Sequence, residues 1–122
     1  MDQAGLLSQT LIVLAGEFGR TVGPVTPAGG RDHLNQQSIV FMGGGVKGGK
    51  ILGATDATGG TTTDFGWSRQ RVVRPEDVEA TIYSALGINW TTIRCDDPLL
   101  RGFEYVPFSE QNIYGPIDEL WS

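Results

Sequence analysis

The chain has 122 residues, 39% of them hydrophobic, which suffices for one modest core and no more than one domain. Its net charge is −5, and its few Lys and Arg form no extended cluster, which excludes a nucleic-acid footprint. Cys95 is the single cysteine, so an internal disulfide framework and a cysteine-rich zinc site are excluded. No apolar run is long enough for a membrane-spanning helix, so no membrane partner is expected.

Residues 1–10 carry no basic segment of the kind that opens an export signal. Residues 2–9 read as the end of a helix, with Leu6 and Leu7 as its apolar part. Residues 10–15, TLIVLA, form a continuous β-branched and aliphatic run without alternation. Such a run suits a strand buried on both faces, as in a parallel sheet. Residues 21–30, TVGPVTPAGG, hold two prolines and three glycines and predict irregular chain. Residues 38–42, SIVFM, predict a second buried strand, ended by Gly43, Gly44 and Gly45.

Residues 50–54 suggest a short strand or hairpin arm, and residues 56–66 a polar Thr/Gly loop. The clearest helix is residues 75–86. Pro75 suits its first position, Glu76, Asp77 and Glu79 suit the positive end of its dipole, and Gly87 is a natural stop. Val78, Ile82, Ala85 and Leu86 form its expected apolar face. Beyond Asn89 the prolines at 98, 107 and 116 predict irregular chain. Strand, loop, strand and helix together indicate an α/β protein. Two strands and one helix do not complete a doubly wound sheet, so either a larger domain or a homo-oligomer is expected to complete it.

Two phosphate-loop patterns occur. Gly43, Gly45 and Gly48 fit GxGxxG, but no helix-like stretch follows to present its N–H groups. Residues 44–50 fit GxxxxGK, but Ile51 stands where Ser or Thr would hold Mg²⁺. Both read as a glycine turn. Chemistry-bearing residues instead gather between the two strands: Glu17, Arg20, Arg31, Asp32 and His33. His33 is either structural or a ligand for a transition metal. Asp32 caps a turn or orients His33. Glu17, at the end of an aliphatic strand, needs an ion pair with Arg20 or Arg31, or a metal. Cys95 lies among Arg94, Asp96 and Asp97, whose two carboxylates disfavour a thiolate. Asn89-Trp90-Thr91 fits the glycosylation sequon, and Asp96-Asp97-Pro98 reads as a turn.

GEFGRT, then GGRDHLNQQSIVFMGGGVKGGKILGATDATG, then RPEDVEATIYSALGI resembles the C-terminal part of the bacterial domain of unknown function 1501. That family is placed with the sulfatases and alkaline phosphatases, and its members are often exported. The resemblance implies that residues 1–122 are the C-terminal portion of one alkaline-phosphatase-like α/β sandwich with a mostly parallel sheet. It implies a divalent metal (Zn, Mn, Mg or Ca) and hydrolysis of a phosphate or sulfate ester, an anionic substrate. By that analogy Glu17 and His33 are metal ligands with Asp32 supporting them, and Arg20 and Arg31 meet the substrate. The chain departs from the superfamily pattern at Phe18, where that pattern carries His. The nucleophile and an early metal-binding Asp have no counterpart here, so catalytic completeness is not expected. The alternative is a non-catalytic binding or scaffold module.

Overall fold

The computed structural model describes residues 2–122. Residues 2–9 form two short 3-10 turns, Asp2–Ala4 and Leu7–Gln9. Among the described residues eight short strands follow: β1 (Leu11–Ala15), β2 (Gly19–Arg20), β3 (His33–Leu34), β4 (Ile39–Gly43), β5 (Ala54–Thr55), β6 (Thr62–Asp64), β7 (Ile93–Arg94) and β8 (Phe103–Glu104). One α-helix, α1 (Pro75–Ala85), stands between β6 and β7. The residues divide into two compact units, one up to Val72 together with Trp121, the other Val73–Leu120 together with Ser122. Among the described residues no helix is long and apolar enough to cross a membrane.

The expected parallel sandwich does not form. The strands make four two-stranded sheets, β1–β4, β2–β3, β5–β6 and β7–β8, all antiparallel. Both apolar runs are strands, as their β-branched and aliphatic residues predict, but they pair with opposite directions. Parallel neighbours need a crossover, usually a helix. Residues 16–38 hold only the β2–β3 ribbon and turns, so the chain returns antiparallel. The register runs from Leu11 opposite Gly43 to Ala15 opposite Ile39. The apolar faces are incompletely covered: Leu14 is 54% exposed and its cross-strand partner Val40 is 46% exposed.

The glycine run after β4 is a turn. Gly43 has φ +70°, and a Cβ there would lie 2.2 Å from the Thr10 carbonyl oxygen. Only glycine meets both demands. Val46 N–H then donates to Gly43 O at 2.9 Å, Gly44 N–H to Leu7 O at 2.9 Å, and the Trp121 indole to Gly44 O at 3.0 Å. The expected arm at residues 50–54 lies mostly before β5, and of the expected Thr/Gly loop only residues 56–61 form the tip of the β5–β6 hairpin, Thr62–Asp64 being β6 itself. There Asp56 Oδ1 accepts from the Thr58 N–H and hydroxyl and from Gly60 N–H. The Thr58 hydroxyl is the main influence holding the Asp56 carboxyl below its ordinary pKa.

In the second unit, α1 begins at Pro75, as expected, and Gly87 follows its end with φ +71°. Its buried stripe is not the expected apolar one. Asp77, Ala80 and Thr81 are buried, whereas Leu86 is 63% exposed. Hydrogen bonding rotates the helix. Asp77 Oδ2 accepts from Arg74 N–H at 2.8 Å, capping the helix start, and Oδ1 accepts from Gly115 N–H at 3.0 Å. One turn later Thr81 Oγ1 accepts from Ile117 N–H at 3.0 Å and donates to Asp77 O at 2.6 Å. Ala80 between them packs with Val106 and Tyr114, flanked by Tyr83 and Trp90.

Replacing Thr81 with Val keeps the shape but leaves the buried Ile117 N–H without an acceptor. T81V is expected to lose about 1–3 kcal/mol of stability in urea denaturation. T81S, which keeps the hydroxyl, is expected to lose less. Equal losses in the two variants would remove the hydrogen bond from this account.

Candidate functional site

β1 leads into the residues that carry the charge. After Ala15 the chain bends through Gly16, Glu17 and Phe18 and enters the β2–β3 ribbon. Gly19 pairs with Leu34 and Arg20 with His33. The ladder continues one step further, with Thr21 N–H donating to Asp32 O at 3.1 Å. A side chain at position 19 cannot be accommodated: a Cβ would lie 1.7 Å from the Gln36 carbonyl oxygen. Close approach of the two strands therefore requires the glycine of the GEFGRT motif.

Alternation along extended chain places Phe18 and Arg20 on one side of β2, and Arg31 and His33 on the matching side of β3. The contacts agree. The Phe18 and His33 rings stack with centroids 3.9 Å apart and an interplanar angle of 30°. The Arg20 guanidinium carbon lies 4.6 Å from the Phe18 ring centroid. Arg20 Nη1 donates to Arg31 O at 2.8 Å, and Arg31 Nη1 donates to Thr21 O at 3.0 Å. Each guanidinium is thus tied to the opposite strand by one bond. Neither pairs with a carboxylate among the described residues. Arg20, Arg31 and His33 are all exposed.

Glu17 and Asp32 are exposed as well. The expected ion pair from Glu17 to Arg20 or Arg31 is not formed among the described residues. Asp32 directly precedes His33 on extended chain, so the two side chains leave opposite sides of the backbone. No group of three or more His, Cys, Asp or Glu residues able to hold a metal occurs among the described residues. Zn²⁺ asks for about four donors and Mg²⁺ or Ca²⁺ for about six or more. Glu17, Asp32 and His33 therefore do not fit a metal site of their own. Phe18, which cannot ligate, supplies the ring that His33 stacks on. Its spacing from Arg20, two residues along an extended segment, was the available signal.

The other arginine-rich spot differs in its charge balance. Around the β7–β8 hairpin Arg94 Nε donates to Asp96 Oδ1 at 3.0 Å, and Arg101 Nε donates to Asp97 Oδ2 at 3.0 Å. The bond from Arg94 lowers the Asp96 pKa, and the same bond raises that of Arg94. Asp97 also accepts from Arg101 N–H at 2.8 Å, which makes the predicted turn. Cys95 is free and exposed beside them. These guanidiniums are already matched, whereas those of the ribbon are not.

Residues 1–96 match the family described as a protein of unknown function (DUF1501). The match spans the ribbon, both long strands and α1, and the chain belongs to that family. No curated protein and no solved structure matches it.

G19A is expected to break the ribbon, seen as loss of the cross-strand nuclear Overhauser contacts between residues 20 and 33. Gly48 has open space around it, so G48A should keep those contacts. Retention of the contacts in G19A would mean that the strands do not approach as described.

Proposed function

We propose that the chain supplies the anion-recognising part of a phosphate- or sulfate-ester hydrolase of the sulfatase and alkaline phosphatase kind, and does not turn substrate over alone. The observation that carries this reading is the pair of tethered guanidiniums, Arg20 and Arg31, without carboxylate partners in a chain of net charge −5. Guanidinium presents a planar fork of donors that matches the oxygens of phosphate or sulfate. One N–H of each is engaged with backbone, which fixes the side chain and leaves further donors for an oxyanion. His33, directly across from Arg20, adds an imidazole at the same place.

Inorganic phosphate is expected to bind with a Kd on the order of 1 mM at low salt, as suits exposed contacts. R20A/R31A should weaken it at least tenfold, measured by chemical-shift titration. Steady hydrolysis of p-nitrophenyl phosphate or sulfate is not expected from this chain. Unchanged phosphate binding in the double variant would sink the proposal.

A second reading, a binding or scaffold module, is favoured by the β1–β4 sheet. Leu14, Val40 and Met42 are exposed large apolar side chains on one face of it. Isolated two-stranded sheets are marginal, and unprotected edges invite further pairing. A homo-oligomer would cover this face. Sedimentation velocity should then show association that L14S/V40T abolishes, and a monomer at high concentration would count against it.

A further inference from the structure

We infer that the tip of the β7–β8 hairpin is a membrane-contact loop, which seats Leu99 and Leu100 in the surface of a zwitterionic lipid bilayer. Residues 95–102 join β7 to β8. Leu99 is 67% exposed, Leu100 74%, and Phe103, the first residue of β8, 65%. Large apolar side chains so open and so close together mark an interaction surface. From Asp97 onward the tip lies outside residues 1–96, the stretch that matches the family.

The turn holds these leucines out. Leu100 N–H donates to Asp97 O at 2.9 Å, closing the turn Asp97-Pro98-Leu99-Leu100. Pro98 stands at the second position, which its fixed φ suits. The Asp97 carboxylate accepts from Arg101 N–H at 2.8 Å and from Arg101 Nε at 3.0 Å. Leu100 has φ +50°, a left-handed conformation that glycine or asparagine adopts at less cost. Turn chemistry therefore favours small or polar residues here, and solvation opposes two leucines. A covering partner offsets both costs.

Area and charge select lipid as that partner. Even a wholly covered aromatic side chain buries only about 150–250 Å², so three part-exposed apolar side chains fall short of the about 800 Å² per partner of a stable protein interface. A bilayer surface asks for no matching shape, only an apolar group to take up and polar groups at headgroup level. Charge at the base of the tip is matched: Arg94 Nε donates to Asp96 Oδ1 at 3.0 Å, as Arg101 Nε does to Asp97. The arginine stems can lie along lipid while their heads stay in water. With that neutral base and a net charge of −5, anionic lipid offers no gain over zwitterionic lipid. A contact of this kind needs no spanning helix.

The test is co-sedimentation of the full chain with phosphatidylcholine vesicles. Half-saturation is expected at or above about 1 mM lipid, because two leucines provide less apolar surface than one myristoyl chain, which binds with about 10⁴ M⁻¹. L99S/L100S should weaken binding at least about tenfold. L100N, whose side chain suits the left-handed turn, should weaken it with no loss of stability. L14S/V40T, on the β1–β4 sheet, should leave it unchanged, and so should added salt. Amide spectra establish that each variant is folded. Binding that is absent, that survives L99S/L100S, that L14S/V40T removes or that salt abolishes would overturn the inference. Self-association that L99S/L100S abolishes would also overturn it, since a second copy would then be the occupant. None of these outcomes touches phosphate binding by Arg20 and Arg31.

Discussion

Antiparallel closure of β4 onto β1 governs where the charged residues of this chain end up. With Ala15 opposite Ile39, residues 16–38 become a closed excursion that must leave and re-enter at the same end of one sheet. Its two arms are brought alongside each other, and Gly19 allows them to touch. Had β1 and β4 been parallel, a crossover would have separated residues 17–20 from residues 31–34 by the length of a strand. The proximity of Arg20, Arg31, Phe18 and His33 is thus a consequence of strand direction before it is a property of any motif.

Strand direction is also what the sequence could not disclose. The largely apolar, β-branched-rich runs at residues 10–15 and 38–42 were legible as strands, because their composition speaks to the pleated backbone. Apolarity on both faces suggested burial on both faces, and the parallel expectation followed. Yet side-chain pattern is nearly blind to direction, and the absence of a helical pattern in residues 16–38 was the better clue. The helix tells a similar story. Its ends were legible from Pro75 and Gly87, but its buried face was not. Asp77 and Thr81 are polar one turn apart, and a hydrophobicity argument turns them outward. They lie inside because Gly115 and Ile117 bring backbone N–H groups that need acceptors.

For the site, the identities of the participants were legible and their partition was not. In a loop either Asp32 or His33 could face a site, Asp32 in support of His33. The ribbon extends the backbone there and sets them on opposite sides. By the superfamily pattern Phe18 stands where a ligand is lost. In place it is one of the two stacked rings. Charge balance separates this arginine cluster from that at residues 94–101. Arg94 and Arg101 lie within reach of the aspartates that neutralise them, so an added anion would have to displace a bonded carboxylate. Arg20 and Arg31 impose no such displacement. The chain's overall negative charge opposes anions only weakly at a distance, since salt screens beyond roughly 8 Å. Local pairing therefore decides.

An exposed guanidinium pair can recognise charge but is poorly placed to drive chemistry. Acceleration requires interactions stronger in the transition state than in the ground state, and these gain most where water is excluded. In water two exposed guanidiniums would hold an ester and its transition state with similar, small energies. Excluding water from the ribbon would change that, and the sheet beside it has a surface suited to being covered. β1 runs through residues 16–18 into the ribbon, so whatever seats on exposed Leu14 and Val40 also approaches Arg20 along the same strand. The unsatisfied apolar face and the unmatched cations are in this sense one feature. The same covering that buries the first would strengthen the electrostatic hold of the second.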